Sequence, residues 1–201
     1  MVRSNWLYLC LLSIGLESSA QTTWDLGKEN NGIKVYTASS DSSKFKSVKV
    51  EALLEGSIEK LIAVLLDIDH HTKWVYATKK SWLIKKFDNN DVLYYAETAL
   101  PWPMNNRDVP VRMKIFQDTI NNVLTITTRG EPYAIPGKKG IVRIRKFKAN
   151  WKVIPADKGK ISILYYLDVD PGGSTPAWLV NMFVNKGPYE TFSNLAGQLK
   201  N

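Results

Sequence analysis

The sequence predicts an α+β fold in which a curved antiparallel sheet wraps around a long C-terminal helix, and three observations carry that prediction. From Lys79 to Asp170 the chain is a succession of short β-like runs separated by turn signals. Strands joined by short turns must pair antiparallel, because parallel pairing needs a long crossover. Several runs are apolar on one face only, as where Val109, Val111, Met113 and Ile115 alternate with Pro110, Arg112, Lys114 and Phe116. In the final segment Trp178, Met182, Tyr189, Phe192, Ala196 and Leu199 share one helical stripe, which supplies the cover that a sheet with one dry face requires.

Taken in order, the first element is a leader. Arg3 gives a positive start, residues 6–16 form an apolar run, and Ser18-Ser19-Ala20 puts small residues where a signal peptidase cuts. The reading is a signal peptide over residues 1–20, cleavage after Ala20 and one domain over residues 21–201. An uncleaved anchor is the alternative, for which the run is short. Trp24 to Glu29 reads as a short helix ended by Asn30-Asn31-Gly32. A strand begins with Ile33, Val35 and Tyr36, and a second runs from Lys44 to Glu55. The period then changes. Ser57 is a good N-cap, and Ile58, Leu61, Ile62, Leu65 and Leu66 recur at helical spacing up to Asp67, with a shorter helical piece from His70 to Val75. Strands are predicted over 81–87, 92–100, 108–117, 122–130, 141–153 and 161–170. The last helix starts after Ser174 or Thr175 with Pro176 in its first turn, and Gly187-Pro188 kinks or breaks it near the middle.

Composition bounds the function. The 201 residues are 44% hydrophobic and 23% charged, as in an ordinary globular domain. The sole cysteine, Cys10, lies in the leader, so the mature chain can form no disulfide. An export signal with no later apolar span reads as a periplasmic or secreted protein. The net charge of +8 favours anionic partners, either phospholipid head groups, nucleic acid or acidic glycans. Export argues against nucleic acid. The lysine pairs 79–80, 85–86 and 138–139 are scattered, so a solvated basic surface explains them equally.

One loop stands out. In Pro101-Trp102-Pro103-Met104-Asn105-Asn106-Arg107-Asp108-Val109 two prolines bracket a tryptophan, which excludes helix and central strand alike. A connection carrying Trp102 and Met104 folds them over either a core or a hydrophobic guest.

That segment, together with Asp67-Ile68-Asp69-His70-His71-Thr72-Lys73-Trp74-Val75 and with Pro176-Ala177-Trp178-Leu179-Val180-Asn181 followed by Gly187-Pro188-Tyr189, resembles the START (StAR-related lipid transfer) domain family and, more broadly, the helix-grip fold. The likeness covers roughly residues 24–199. It implies an internal cavity between sheet and C-terminal helix that holds one lipid or sterol-like molecule and needs no cofactor. On that reading Trp102, Met104, Glu97, Met113, Trp178, Met182, Tyr189 and Phe192 bind the ligand, the 101–106 loop and the C-terminal helix gate the cavity, and Arg107 and Asp108 structure the loop. A sixteen-carbon chain buried at about 0.8 kcal/mol per methylene gains on the order of 10 kcal/mol without any polar contact. The competing reading is that the stripe simply packs as core. The family's charged cavity pair would fall on Glu97 and Arg112. Alternation sends Arg112 to solvent, while Glu97, with Leu93, Tyr95 and Ala99, could point inward, where an unpaired carboxylate is costly.

Catalytic signals are sparse. His70 and His71 are adjacent and diverge, a poor metal pair, and no metal site is read from the chain. No nucleophile elbow, phosphate loop or dinucleotide fingerprint occurs. A non-enzymatic binding protein, touching anionic membrane surfaces transiently, is the reading. The alternative is a cyclase- or hydrolase-like enzyme on the same scaffold, using Tyr94, Tyr95, Glu97, Tyr133, Tyr165 or Tyr166.

Overall fold

A computed structural model describes residues 22–40, 43–173, 176, 179 and 182–200. The expected leader over residues 1–20 and its expected cleavage site lie outside the described residues. Ten strands form one sheet: β1 Asp25–Asn30, β2 Ile33–Ser40, β3 Ser43–Glu55, β4 Thr78–Asp88, β5 Asp91–Thr98, β6 Asn106–Asp118, β7 Val123–Gly130, β8 Ile141–Arg143, β9 Lys146–Ala156 and β10 Lys160–Asp170. Their order is β1-β2-β3-β10-β9-β7-β6-β5-β4, with β8 beside β6. Helix α1 (Ile58–Leu66) and a 3-10 turn (Ile68–Lys73) carry the chain from β3 to the far edge at β4, and a π turn (Met182–Lys186) leads into α2 (Gly187–Lys200). Every strand pair is antiparallel except β6 with β8. The expected α+β helix-grip architecture is what the chain forms.

Two elements differ from expectation. Residues 25–30 form β1, the edge strand of a hairpin with β2, and not a helix. Asn31 and Gly32 both have positive φ, 50° and 75°, the pair of conformations that turns two residues into a tight hairpin. An isolated six-residue helix, by contrast, cannot repay its nucleation cost. The stretch expected as one strand over 141–153 divides at Ile144. Strand β7 leaves β6 at the Val111–Gly130 pair, and β8 takes up the vacated edge in parallel register with Asn106, Arg107 and Asp108. The Ile144 N–H then donates to the Asp108 carbonyl at 2.9 Å, after which the chain turns to pair with β7 and β10.

Helix α1 forms as its pattern demands. Ser57 Oγ accepts the Lys60 N–H at 3.2 Å, and Ile58, Leu61 and Leu65 are buried. They join Ile33, Val50, Leu54, Ile161 and Ile163 from the strands and Leu195 and Leu199 from α2 in the main core. Pro188 has no N–H to give to the preceding turn. The π turn ends just before it, a common accommodation of a broken ladder. The edge strand β4 is irregular, with register shifts between Thr78 and Lys80, Leu83 and Lys85, and Lys86 and Asp88.

Arg107 and Asp108 organise one end of the sheet. Arg107, 1% exposed, donates to the carbonyls of Asn105, Pro171 and Gly172. It thereby ties the 101–105 loop to the segment that follows β10. Asp108, also 1% exposed, accepts two hydrogen bonds from Arg143, whose remaining donors reach the carbonyls of Pro132, Ile135 and Pro136. The pair therefore fixes the 131–140 loop beside the 101–105 loop. Removing the carboxylate strands a guanidinium that is only 13% exposed. Asp108→Ala is expected to lose about 3 kcal/mol or more of unfolding free energy in urea titration.

Candidate functional site

The concave face of the sheet is dry, and α2 covers only part of it. Phe192 of α2 sits against Trp151 of β9 and Tyr165 of β10, with ring centroids 5.1 and 5.3 Å away, and those two rings are 4.7 Å from each other. Beyond this wedge the helix stands off and leaves a cavity of about 190 Å³. Met113, Thr128 and Tyr94 line its floor, His71 of the 3-10 segment and Trp74 just after it one wall, and Tyr76 and Thr191 a seam. At that seam the Tyr76 N–H donates to Thr191 Oγ1 at 3.1 Å, and Asn194 Nδ2 donates to the Trp74 carbonyl at 3.2 Å. Thr98, Phe147 and Leu167 line the cavity too. They lie where β5 and β10 end and β9 begins, so the cavity reaches the end of the sheet that carries the 101–105 loop.

Volume decides what fits in this state. An apolar void of roughly 150 Å³ holds benzene, so 190 Å³ takes a ring or a short acyl segment. Pockets for larger ligands start near roughly 300 Å³. A two-chain lipid would therefore require α2 and the facing loop to separate.

The lining is uncharged. No Asp, Glu, Lys or Arg is among its described residues. His71, 4% exposed, has Nε2 2.9 Å from the Leu65 carbonyl. A carbonyl only accepts, so Nε2 carries the proton and Nδ1 is left as an acceptor. Burial pushes the pKa of His71 down against the weaker upward pull of the Leu65 carbonyl, Asp67 and Asp69, which keeps the ring neutral. Burial also pushes the phenols of Tyr94 and Tyr165 up. The indole N–H of Trp74 is buried without a partner among the described residues, at a cost of roughly 1–3 kcal/mol.

The residues proposed from sequence are dispersed. Met113 and Phe192 line the cavity. Tyr189 is buried elsewhere, under the Lys28 ammonium 3.6 Å from its ring centre. Trp102 is 92% exposed, Met104 half-buried with its N–H on the Pro101 carbonyl, and neither lines the cavity. Trp178 and the side chain of Met182 lie outside the described residues. Glu97 is turned away from the cavity: on β5 the residues 94 and 98 line it, so period two sends 95 and 97 to the opposite face. Its carboxylate is not stranded there, because Asn106 Nδ2 donates to it at 2.7 Å and the Tyr95 hydroxyl at 3.4 Å. Arg112 is also on the outer face, in a two-pronged bond with Asp91 at 2.8 Å. His70 pairs with Asp67 at the surface, not with its neighbour Asp69.

Sequence reasoning missed His71, Trp74, Trp151 and Thr191 as lining residues. The spacing of Trp151 and Tyr165 on paired strands was a signal, since Trp151 faces Tyr165 in register. Among the described residues no group of three or more His, Cys, Asp or Glu stands close enough to hold a metal ion, and no helix is long and apolar enough to cross a membrane.

Comparison with known proteins adds to this geometry. The family model described as "START domain" matches residues 14–200. A phosphatidylcholine transfer protein of Rattus norvegicus is 30% identical over 169 residues, covering 82% of this chain and 78% of its own. An uncharacterised protein of Pseudomonas aeruginosa is 30% identical over 172 residues, 86% of this chain and 84% of its own. Among solved structures, a STAR-related lipid transfer protein of Xanthomonas axonopodis superposes with a TM-score of 0.80 at 29% identity, covering 89% of this chain and 99% of that one.

The neutral, buried His71 generates a pH signature. Its folded pKa lies below the unfolded value of about 6.5, so between the two the unfolded chain binds the extra proton and stability rises with pH. In thermal unfolding, wild type is expected to lose stability from about pH 7 to pH 5, above the carboxylate range near 4. His71→Phe is expected to be weaker throughout, with a shallower slope across that window.

Proposed function

The chain belongs to the START domain family, and from that premise we propose that it binds a net-neutral lipid, zwitterionic or uncharged, in the cavity between sheet and α2 and carries it between membranes. The single observation behind this reading is a wall built from aliphatic and aromatic side chains with no ionised group among its described residues. A lipid of net negative charge would bury that charge unpaired, which costs several kcal/mol. The faces of Trp74, Tyr94, Trp151 and Tyr165 instead suit a quaternary ammonium, in keeping with a relative named for phosphatidylcholine transfer. The orphan indole N–H of Trp74 can donate to a phosphate or ester oxygen of such a lipid.

Loading needs an opening, and the structure offers a seam. Two hydrogen bonds, Tyr76 to Thr191 and Asn194 to Trp74, hold α2 to the 3-10 segment, and release of that contact together with the 101–105 loop widens the cavity. Trp102 at 92% exposure and Tyr133 at 87% project from neighbouring loops at this end. Aromatic side chains favour the head-group layer, and the exposed Lys139 of the 131–140 loop attracts anionic lipid at about 1 kcal/mol per charge. The protein acts without covalent chemistry, exported to the periplasm or beyond by its leader.

Mass spectrometry of organic extracts from the purified protein tests the ligand class. A phospholipid or sterol-like species of net-neutral charge is expected. A small polar metabolite would replace this reading with an enzyme on the same scaffold. Thr98→Trp, which fills the lining, is expected to lose most bound lipid while its circular dichroism is unchanged. In vesicle co-sedimentation with anionic liposomes, Trp102→Ala and Met104→Ser are each expected to lower the bound fraction severalfold; unchanged binding and transfer would remove that loop from the docking role.

A further inference from the structure

On the outer face of the sheet, away from the cavity, three cations stand side by side. Arg112 of β6 is in register with Arg129 of β7, and Arg129 with Lys148 of β9. Adjacent strands are about 4.8 Å apart, and like charges directly opposite one another destabilise a sheet. The neighbouring row sets Lys114, Thr127 and Asn150 in the same relation. Together these side chains and Glu131 enclose a groove of about 350 Å³.

The charge is poorly compensated. Asp91 serves both Arg112 and Lys114, at 2.8 and 3.3 Å. Glu131 lies at the groove and acts on Arg112. Arg129 and Lys148 have no ion pair among the described residues. Asp168, opposite Lys148 in register, accepts the Ser47 hydroxyl instead. Four cations thus meet two carboxylates, and the polar groups nearest the unpaired cations, Thr127 and Asn150, can donate hydrogen bonds.

From this we infer a second ligand site: the groove between Arg112, Arg129 and Lys148 binds a phosphate group carrying two negative charges, presented by a soluble ligand. The guanidinium fork of Arg129, the Lys148 ammonium and the Arg112 N–H groups that Asp91 leaves unused match phosphate oxygens in geometry as well as charge. The groove lies on the outer face of a sheet that bends around α2, midway along β6 and near the ends of β7 and β9, and its cations line a recess that a small soluble ligand enters more readily than a flat bilayer surface. The inference does not depend on the lipid reading, because none of its three defining residues lines the cavity.

Pyrophosphate is the probe, added at constant ionic strength with sodium chloride as the balancing salt. Wild type is expected to bind it in calorimetry and, at about 100 times the dissociation constant, to gain roughly 5 °C or more in unfolding midpoint. Arg129→Gln and Lys148→Gln should each weaken binding by about tenfold or more and abolish most of the shift. Without pyrophosphate their midpoints should equal or exceed that of wild type, because each relieves a like-charge contact, and their lipid content should be unchanged. An equal shift in all three proteins, or no shift in wild type, would overturn the site. So would binding to phosphatidic acid vesicles through these residues that pyrophosphate fails to compete, which would assign the face to a membrane.

Discussion

The wedge of Phe192 between Trp151 and Tyr165 is the contact on which the rest of the structure depends. It anchors α2 to the middle strands of the sheet by three aromatic rings in mutual contact, and its bulk keeps the helix from settling closer on the remaining floor. A helix held at one place on a curved sheet must stand off elsewhere. Small or slender residues at Thr98, Thr128 and Thr191 do not fill the gap, and the cavity results. Its existence is a consequence of uneven side-chain size along one stripe, not of a separate structural module.

The polar chemistry of the domain is segregated to the other side of the sheet. Glu97, Asp108 and Arg143 lie on the face away from the cavity, and Arg107 closes the same end. Each of these four groups is matched by protein donors, carbonyls or a carboxylate, so the buried ions define loop positions and leave the cavity uncharged. Had Glu97 faced inward, its carboxylate would have raised the cost of every apolar occupant. The same network binds together the two loops that flank the cavity's open end, through Asn105 and Pro132, and the segment ahead of α2 through Pro171.

Most of the architecture was legible because period two is strict where one face is dry: β6 alternates from Val111 to Phe116, and α1 declares both its cap and its stripe. Strand β1 was not, since Asp25–Asn30 buries little and its place comes from pairing with β2. Nor was the break at Ile144, which follows from where β7 leaves β6, a fact of register that no local window contains. The site was half legible. Met113 and Phe192 follow from stripe and alternation. Glu97 misled because β5 is shielded on both sides: Tyr95 on the outer face is covered by Trp82, with centroids 3.8 Å apart, so apolar company there does not signal the interior. His71 was hidden because a polar residue after a helix end looks like surface until the Leu65 carbonyl is seen to hold it.

The irregular pairing of β4 carries a consequence for how these molecules coexist at high concentration. This strand ends the sheet and shows its free edge to the surroundings, yet it bears Lys79, Lys80, Lys85 and Lys86 and three interruptions of its ladder. A second molecule approaching edge to edge would find crowded positive charge and no continuous run of free amides to pair with. An open sheet of this size is thereby protected from growing into a fibre at this edge, without closing into a barrel.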